Sequence, residues 1–183
     1  MEHFYNNIQG WFNYQGLYSK IVNEAISPAR FVEVGSWKGQ SASYMAVEII
    51  NSSKNIEFYC VDTWLGTPNE IEHQNDQDVQ EGTLYEKFIE NMSPVEGHYI
   101  PLRMDSLEAV NTFEDESLDF VYIDASHDYE SVKKDIENWY PKVKKGGILA
   151  GHDYTWDTVN RAVHDVLGNQ VESFDTWNWL VKK

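Results

Sequence analysis

The chain has a single cysteine, Cys60, in 183 residues. A lone thiol closes no disulfide within the chain, so Cys60 reads as a small buried hydrophobe inside a strand. That usage fits a reducing cytoplasm, which is the expected location. Basic residues are scarce as well: 14 Lys and Arg stand against 30 Asp and Glu, a formal net charge of −16. Proteins that grip nucleic acid neutralise phosphates with Lys and Arg, so no nucleic-acid partner is expected. No apolar run approaches the ~18 residues of a transmembrane helix. The opening MEHFYNNIQGWF has neither the basic region nor the apolar core of a signal peptide, and no membrane partner is expected. There is no internal repeat and no low-complexity tract. What remains is a small-molecule partner.

The length suffices for one sizeable core and predicts a single domain over 1–183. Its most informative stretch is FVEVGSWKGQSASYMAVEII, Phe31 to Ile50. Phe31 to Val34 is apolar and β-branched, a buried strand. Gly35-Ser36-Trp37-Lys38-Gly39 needs permissive backbone at two places. From about Gln40 the apolar residues Ala42, Met45, Ala46 and Ile49 fall on one helical face. A strand, a glycine turn and a helix start form a nucleotide-binding device, with unpaired N–H groups facing the ligand. A carboxylate at Glu33 would repel a pyrophosphate but suits a ligand carrying an ammonium group.

The chain then alternates. An N-terminal arm and helix fill residues 1–30, the helix stopped by Ser27-Pro28. Ile56 to Val61 is a second strand, ending at Asp62-Thr63-Trp64. Asp62 lies about 20 residues past the glycine turn, where nucleotide-binding sheets hold ribose hydroxyls. Residues 64–82, polar and acidic without a period, predict a lid or substrate loop. A helix over Thr83 to Met92 follows, then a strand over His98 to Leu102. Leu107 to Phe113 is a short helix, Leu118 to Ile123 a strand, and Tyr129 to Tyr140 a helix. Lys144 to Gly147 turn into the strand Ile148 to Ala150. A last helix over Val159 to Leu167 stops at Gly168, and two strands, Val171 to Phe174 and Trp177 to Val181, close the chain as a hairpin. This order predicts an α/β, Rossmann-like doubly wound fold: a mostly parallel sheet with an antiparallel C-terminal hairpin.

Ligands of such sheets bind beyond the carboxyl ends of the strands. Glu33, Asp62, Asp105, Asp124 and Asp153 all sit at or just after strand ends. Asp124 and Asp153 end strands expected to be neighbours, and two converging carboxylates suit a divalent cation. Oxygen ligands favour Mg or Ca, while coordination by His152 shifts the preference toward Mn, Fe or Zn.

Three segments, FVEVGSWKGQSA, FYCVDTW and VYIDASHDYESVKKDIENWYPKVKKGGILAGHDY, resemble class I S-adenosylmethionine-dependent methyltransferases. More narrowly they resemble the family related to catechol O-methyltransferase and the macrolide-sugar O-methyltransferases. The resemblance implies that Glu33 and Gly35 lie at the methionine end of the cofactor, with Ser36, Gly39 and Ser41 around it. It implies Asp62 on the ribose, Thr63 or Trp64 beside the adenine, and Asp105 and Ser106 at the adenine edge. Asp124, His152 and Asp153 match the positions that hold a divalent cation (Mg, with Mn or Ca as alternatives). Asp124 also borders the cofactor and the reacting centre, and His127 matches a general base. Where many members have a middle glycine in the first motif, this chain has Trp37.

The expected activity is therefore metal-assisted O-methyl transfer to a hydroxylated small molecule, a sugar or a catechol-like phenol. Two alternatives stand beside it: a non-catalytic cofactor-binding or interaction protein of the same fold, and a dinucleotide-dependent oxidoreductase. A homo-oligomer remains compatible with the aromatic-rich composition.

Overall fold

The computed structural model describes residues 1–68 and 70–183; Asn69, inside the predicted loop, lies outside the described residues. Seven strands form one sheet: β1 Ala29–Val34, β2 Ile56–Asp62, β3 Ile100–Arg103, β4 Leu118–Ile123, β5 Val143–Gly151, β6 Glu172–Ser173 and β7 Trp179–Lys182. Their order is β3-β2-β1-β4-β5-β7-β6. The first five are parallel, and β7 runs antiparallel to both β5 and β6. The helices are α1 Gln15–Glu24, α2 Gln40–Ser52, α3 Ile71–Gln74, α4 Gln77–Glu81, α5 Leu84–Met92, α6 Ser106–Ala109, α7 Tyr129–Trp139 and α8 Asp157–Leu167. None of them is long and apolar enough to cross a membrane.

Both faces of the sheet are covered, which is why its central strands read as continuous apolar runs. Phe31, Phe58 and Phe120 pack on one face with Leu17 and Tyr18 of α1, Met45 of α2 and Phe88 of α5. Val32, Val34 and Val121 pack on the other with Ile136 and Trp139 of α7 and Val163 of α8. Burying each such side chain contributes roughly 1.5–3 kcal/mol. Glu33 sits on the first face between Phe31 and the turn, wholly buried.

The strand order reverses between β1 and β4, and a crevice opens there. The end of β1 is laced to both neighbours: Asp124 N–H after β4 donates to Val34 O, and Gly35 N–H donates to Val61 O of β2, each at 2.8 Å. Gly35 has φ +92°, and a Cβ at this position would overlap the carbonyl oxygen of Asp124. Only glycine fits that approach.

Two segments differ from the sequence reading. β5 starts at Val143 rather than Ile148, because Lys144 to Gly147 form an irregular stretch of strand, with a register shift opposite Leu118 and Phe120. The 64–82 loop contains the two short helices α3 and α4. Asp76 caps α4 by accepting the Asp78 N–H at 3.0 Å.

Candidate active site

A cavity of about 1100 Å³ lies at the carboxyl ends of β1, β2, β4 and β5. The arm residues Gly10 to Tyr14 wall it on one side, and the lid residues Gly66 to Pro68 and Glu70 to His73 wall it on another. Its floor has two parts.

The first part is the turn after β1. Gly35, Ser36 and Ser41 line it, with Asp62, Thr63, Asp105 and Ser106 alongside. Asp62 Oδ2 accepts the N–H groups of Ser36 (2.9 Å) and Trp37 (2.8 Å), and its Oδ1 accepts that of Trp64 (2.7 Å). This carboxylate holds the turn in shape from the end of the neighbouring strand. Trp37 takes φ +46°. An L-residue pays roughly 1–2 kcal/mol for that geometry, and two bonds fix it: its N–H to Asp62 and its carbonyl to Trp64 Nε1 at 2.7 Å. Gly39, at φ +90°, begins α2 with no side-chain cap, which leaves first-turn N–H groups without intrahelical partners.

Glu33, Gly39 and Trp64 are not on the cavity wall. Glu33 stands behind it, accepting Tyr18 Oη–H (2.7 Å) and Ser36 Oγ–H (2.8 Å). Burial pushes its carboxyl up to about 7, against the pull of these bonds. It reaches the cavity through Ser36. Gly39 faces Met92 and Phe88, and Trp64 packs into the core against Phe88.

The second part joins the ends of β4 and β5. Asp124, His152 and Asp153 each offer one ligand atom, and those atoms lie within 4.8 Å of one another. Two carboxylates and an imidazole converging at a half-buried rim fit a hard or borderline divalent cation. Asp153 Oδ2 meets His127 Nε2 at 2.9 Å and His152 Nδ1 at 3.0 Å. Asp153 is burdened by burial, but the two imidazoles outweigh it and hold the carboxyl well below the usual range. Asp124 is raised, chiefly by burial. His152 is buried too, which would lower it, yet its carboxylate neighbours raise it.

His127, expected from the resemblance to be a general base, stands between two carboxylates. Its ordinary pKa would make it a base near neutrality. Here Nδ1 meets Glu70 Oε1 at 2.7 Å while Nε2 faces Asp153. Burial alone would lower its pKa, but these two carboxylates push it up to about 10. In this arrangement His127 is a clamped cation.

Four further residues belong to the site. Tyr14 Oη donates to Asp124 Oδ2 at 2.8 Å, Asn13 Oδ1 meets His152 Nε2 at 2.9 Å, and Glu70 holds His127. Asp135 of α7 lies beside Ser106, whose Oγ donates to it at 2.6 Å; burial raises that carboxyl to about 6. The partners in these pairs are separated by 29 to 139 positions. The clustering of Trp11, Phe12 and Tyr14 in the arm leads toward Asn13 and Tyr14, and the polar stretch 64–82 toward Glu70; no sequence signal leads to Asp135.

Comparison with known proteins agrees with this geometry. The family model described as "Methyltransferase domain" matches residues 32–154. A curated protein of Sinorhizobium fredii (strain NBRC 101917 / NGR234), "Uncharacterized protein y4gI", is 28% identical over 155 residues. That alignment takes in 82% of this chain and 16% of the relative, so the chain spans about a sixth of its length. Among solved structures, the O-methyltransferase NovP superposes with a TM-score of 0.72 at 19% identity, over 92% of this chain and 78% of that one. CalS11, a calicheamicin methyltransferase, gives 0.63 at 16% identity, over 92% and 76%. With two thirds of its residues inside the family model and the strand ends arranged around one cavity, the chain belongs to the methyltransferase-domain family.

Proposed function

We propose that the protein transfers a methyl group from S-adenosylmethionine to a hydroxyl of a small molecule, a sugar or a catechol-like phenol, with a divalent cation at Asp124, His152 and Asp153. The observation that carries this reading is the convergence of those three side chains within 4.8 Å beside His127, on the floor of one cavity. Gly35, Ser36 and Ser41 seat the methionine end, Asp62 the ribose, Thr63 lies beside the adenine, and Asp105 and Ser106 meet the adenine edge. Glu33 supports the seat from behind, and Gly39 and Trp64 hold its backbone.

Asp124, His152 and Asp153 would hold the cation, whose chemistry would be to lower the pKa of the substrate hydroxyl; Mg would suit the two carboxylates, and Mn would tolerate the imidazole better. Tyr14 holds Asp124 in place, and Asn13 holds His152. With Asp153 turned to a cation, His127 would lose the carboxylate that holds its Nε2 proton and give that proton to solvent; the neutral imidazole would then receive the hydroxyl proton at Nε2. The substrate oxygen forms its bond to the methyl carbon as the carbon–sulfur bond breaks, and the electron pair stays on sulfur. The donor is already activated, so alignment supplies much of the rate. Trp11, Trp156 and Trp177, the exposed tryptophans among the described residues, all line the cavity and offer flat faces to a ring-shaped acceptor.

The family membership sets aside the dinucleotide oxidoreductase. The non-catalytic alternative draws its support from His127, which is held as a cation. Calorimetric titration with S-adenosylmethionine, with and without Mg, followed by a screen of vicinal diols and catechols, separates the two. Binding with metal-dependent turnover supports the proposal. Binding with no turnover of any acceptor favours the non-catalytic protein.

A further inference from the structure

The lid carries a charged side chain into the chemistry. Glu70 precedes α3, and its Oε1 lies 2.7 Å from His127 Nδ1. The imidazole is otherwise held from below and beside. Thr158 Oγ1 donates to the His127 carbonyl at 2.7 Å, and the Trp156 ring lies 4.8 Å from its centroid. These contacts fix the backbone and one face of the ring but neither nitrogen. Asp153 meets Nε2, the atom on the cation side. Only Glu70 meets Nδ1 among the described residues.

Glu70 is also delivered by anchors that do not involve His127. His73, three residues on, stacks on Trp37 with ring centroids 4.1 Å apart at 16°. Its Nδ1 accepts the Thr67 N–H at 3.1 Å. Asp76 and Asp78 grip Lys38 of the β1 turn at 2.8 and 2.6 Å. The lid is thus pinned to the cofactor turn, and Glu70 projects from it onto the opposite strand end.

We infer that Glu70 is a positioning residue of the active site: it holds His127 through Nδ1–H so that Nε2 is the atom presented to the substrate hydroxyl, and the site is complete only with the lid docked. A carboxylate on one imidazole nitrogen fixes which nitrogen carries the proton and which way the ring faces. The inference rests on the reading of His127 as the base, so its test has a part that does not depend on turnover.

The test is ¹⁵N NMR of the histidine side chains in the protein saturated with S-adenosylhomocysteine, with the His127 signals assigned from a His127→Gln variant. The expected result is a slowly exchanging Nδ1 proton on His127 in the parent. It is retained in Glu70→Gln, whose amide oxygen still accepts, and lost in Glu70→Ala. A parent without that proton, or an Ala variant that keeps it, overturns the inference. Lys38→Met, which unpins the lid at a distance, should weaken the same signal; an unchanged signal there overturns the dependence on docking. With an acceptor in hand, Glu70→Ala should lower kcat by about 10–100-fold without changing affinity for S-adenosylmethionine. The double variant with His127→Ala should be no slower than His127→Ala alone. Full turnover by His127→Ala removes the base reading and leaves the NMR result to decide the role of Glu70. An inactive His127→Ala beside a Glu70→Ala variant of parental kcat leaves the base and removes Glu70.

Discussion

Lys38 and Asp76 form an almost fully buried ion pair, Nζ to Oδ2 2.8 Å, that ties the turn after β1 to the lid. Gln9 Oε1 joins at 3.0 Å and Asp78 at 2.6 Å, so a cation beside the cofactor turn organises both the arm and the lid. Removing one partner of a buried pair costs about 3–5 kcal/mol because the other charges stay behind. Here the cost can be escaped by undocking the lid. Lys38→Met should therefore speed limited proteolysis within residues 66–82 far more than it lowers the melting temperature. Parental cleavage kinetics would show that the stack of Trp37 on His73 suffices to hold the segment.

Asp62 serves three backbone N–H groups of the turn and the following residue. Substitution by Asn leaves one acceptor oxygen in place of two. The expected outcome is a roughly tenfold or greater loss of S-adenosylmethionine affinity, about 1.4 kcal/mol per decade. Calorimetry measures it directly, and an unchanged Kd would dissociate Asp62 from the cofactor seat.

Asp153 is placed to serve the cation and to clamp His127. Asp153→Asn should abolish metal-dependent turnover while sparing cofactor affinity, and a chelator should do the same to the parent. The substitution also removes one of the two carboxylates that raise His127 to about 10, so the His127 titration should move to lower pH. A chelator-resistant enzyme would refute the cation's part in the reaction.

Glu33 and Asp135 predict the slope of stability with pH. Their folded carboxyls, raised to about 7 and about 6, are protonated where the unfolded chain is already ionised. The native state then binds more protons, so both contributions make stability fall as pH rises from about 4 to 7. For Glu33 the loss is on the order of 3 kcal/mol. Glu33→Gln keeps an acceptor for Tyr18 and should flatten this slope, gaining stability at pH 8 relative to the parent. Urea unfolding at pH 5 and pH 8 checks it; parallel curves for the two proteins would sink the assignment.

Trp177, exposed at the cavity mouth and apart from the ionisable cluster, tests acceptor binding. Trp177→Ala should raise KM for a ring-bearing acceptor about 3–10-fold, the worth of one stacked ring, with kcat little changed. A fall in kcat at constant KM would place Trp177 in alignment rather than capture.

The strand ends were legible in the sequence because each buried run stops abruptly at an acid. Asp62 and Asp124 directly follow the buried Val61 and Ile123, and Asp153 follows the buried run Leu149 to Gly151 and His152. The lid helices were not legible. Gln77 to Glu81 contains one apolar residue, Val79, and owes its shape to the Asp76 cap and the grip of Lys38. The protonation state of His127 was equally hidden, since it depends on Glu70, 57 positions away. Glu33 was assigned to the ligand from its place in the motif. Which way a side chain turns in a strand buried on both faces is decided by packing, here by Tyr18 of α1.

The missing side chain at Gly35 carries a longer-term implication. Because the β1 turn rests directly on the backbone of Asp124, the proposed seat of the methyl donor and the proposed floor of the reaction are joined through main chain. Among the described residues, the arm and the lid meet that frame through contacts in which a side chain takes part, such as Phe12 N–H to Gln40 Oε1 and Lys38 to Asp76. Acceptor preference can therefore drift through exchanges in residues 10–14 and 66–82 while the trajectory of the methyl group is inherited unchanged. A lineage built on this frame can diversify its chemistry at the walls without renegotiating the donor.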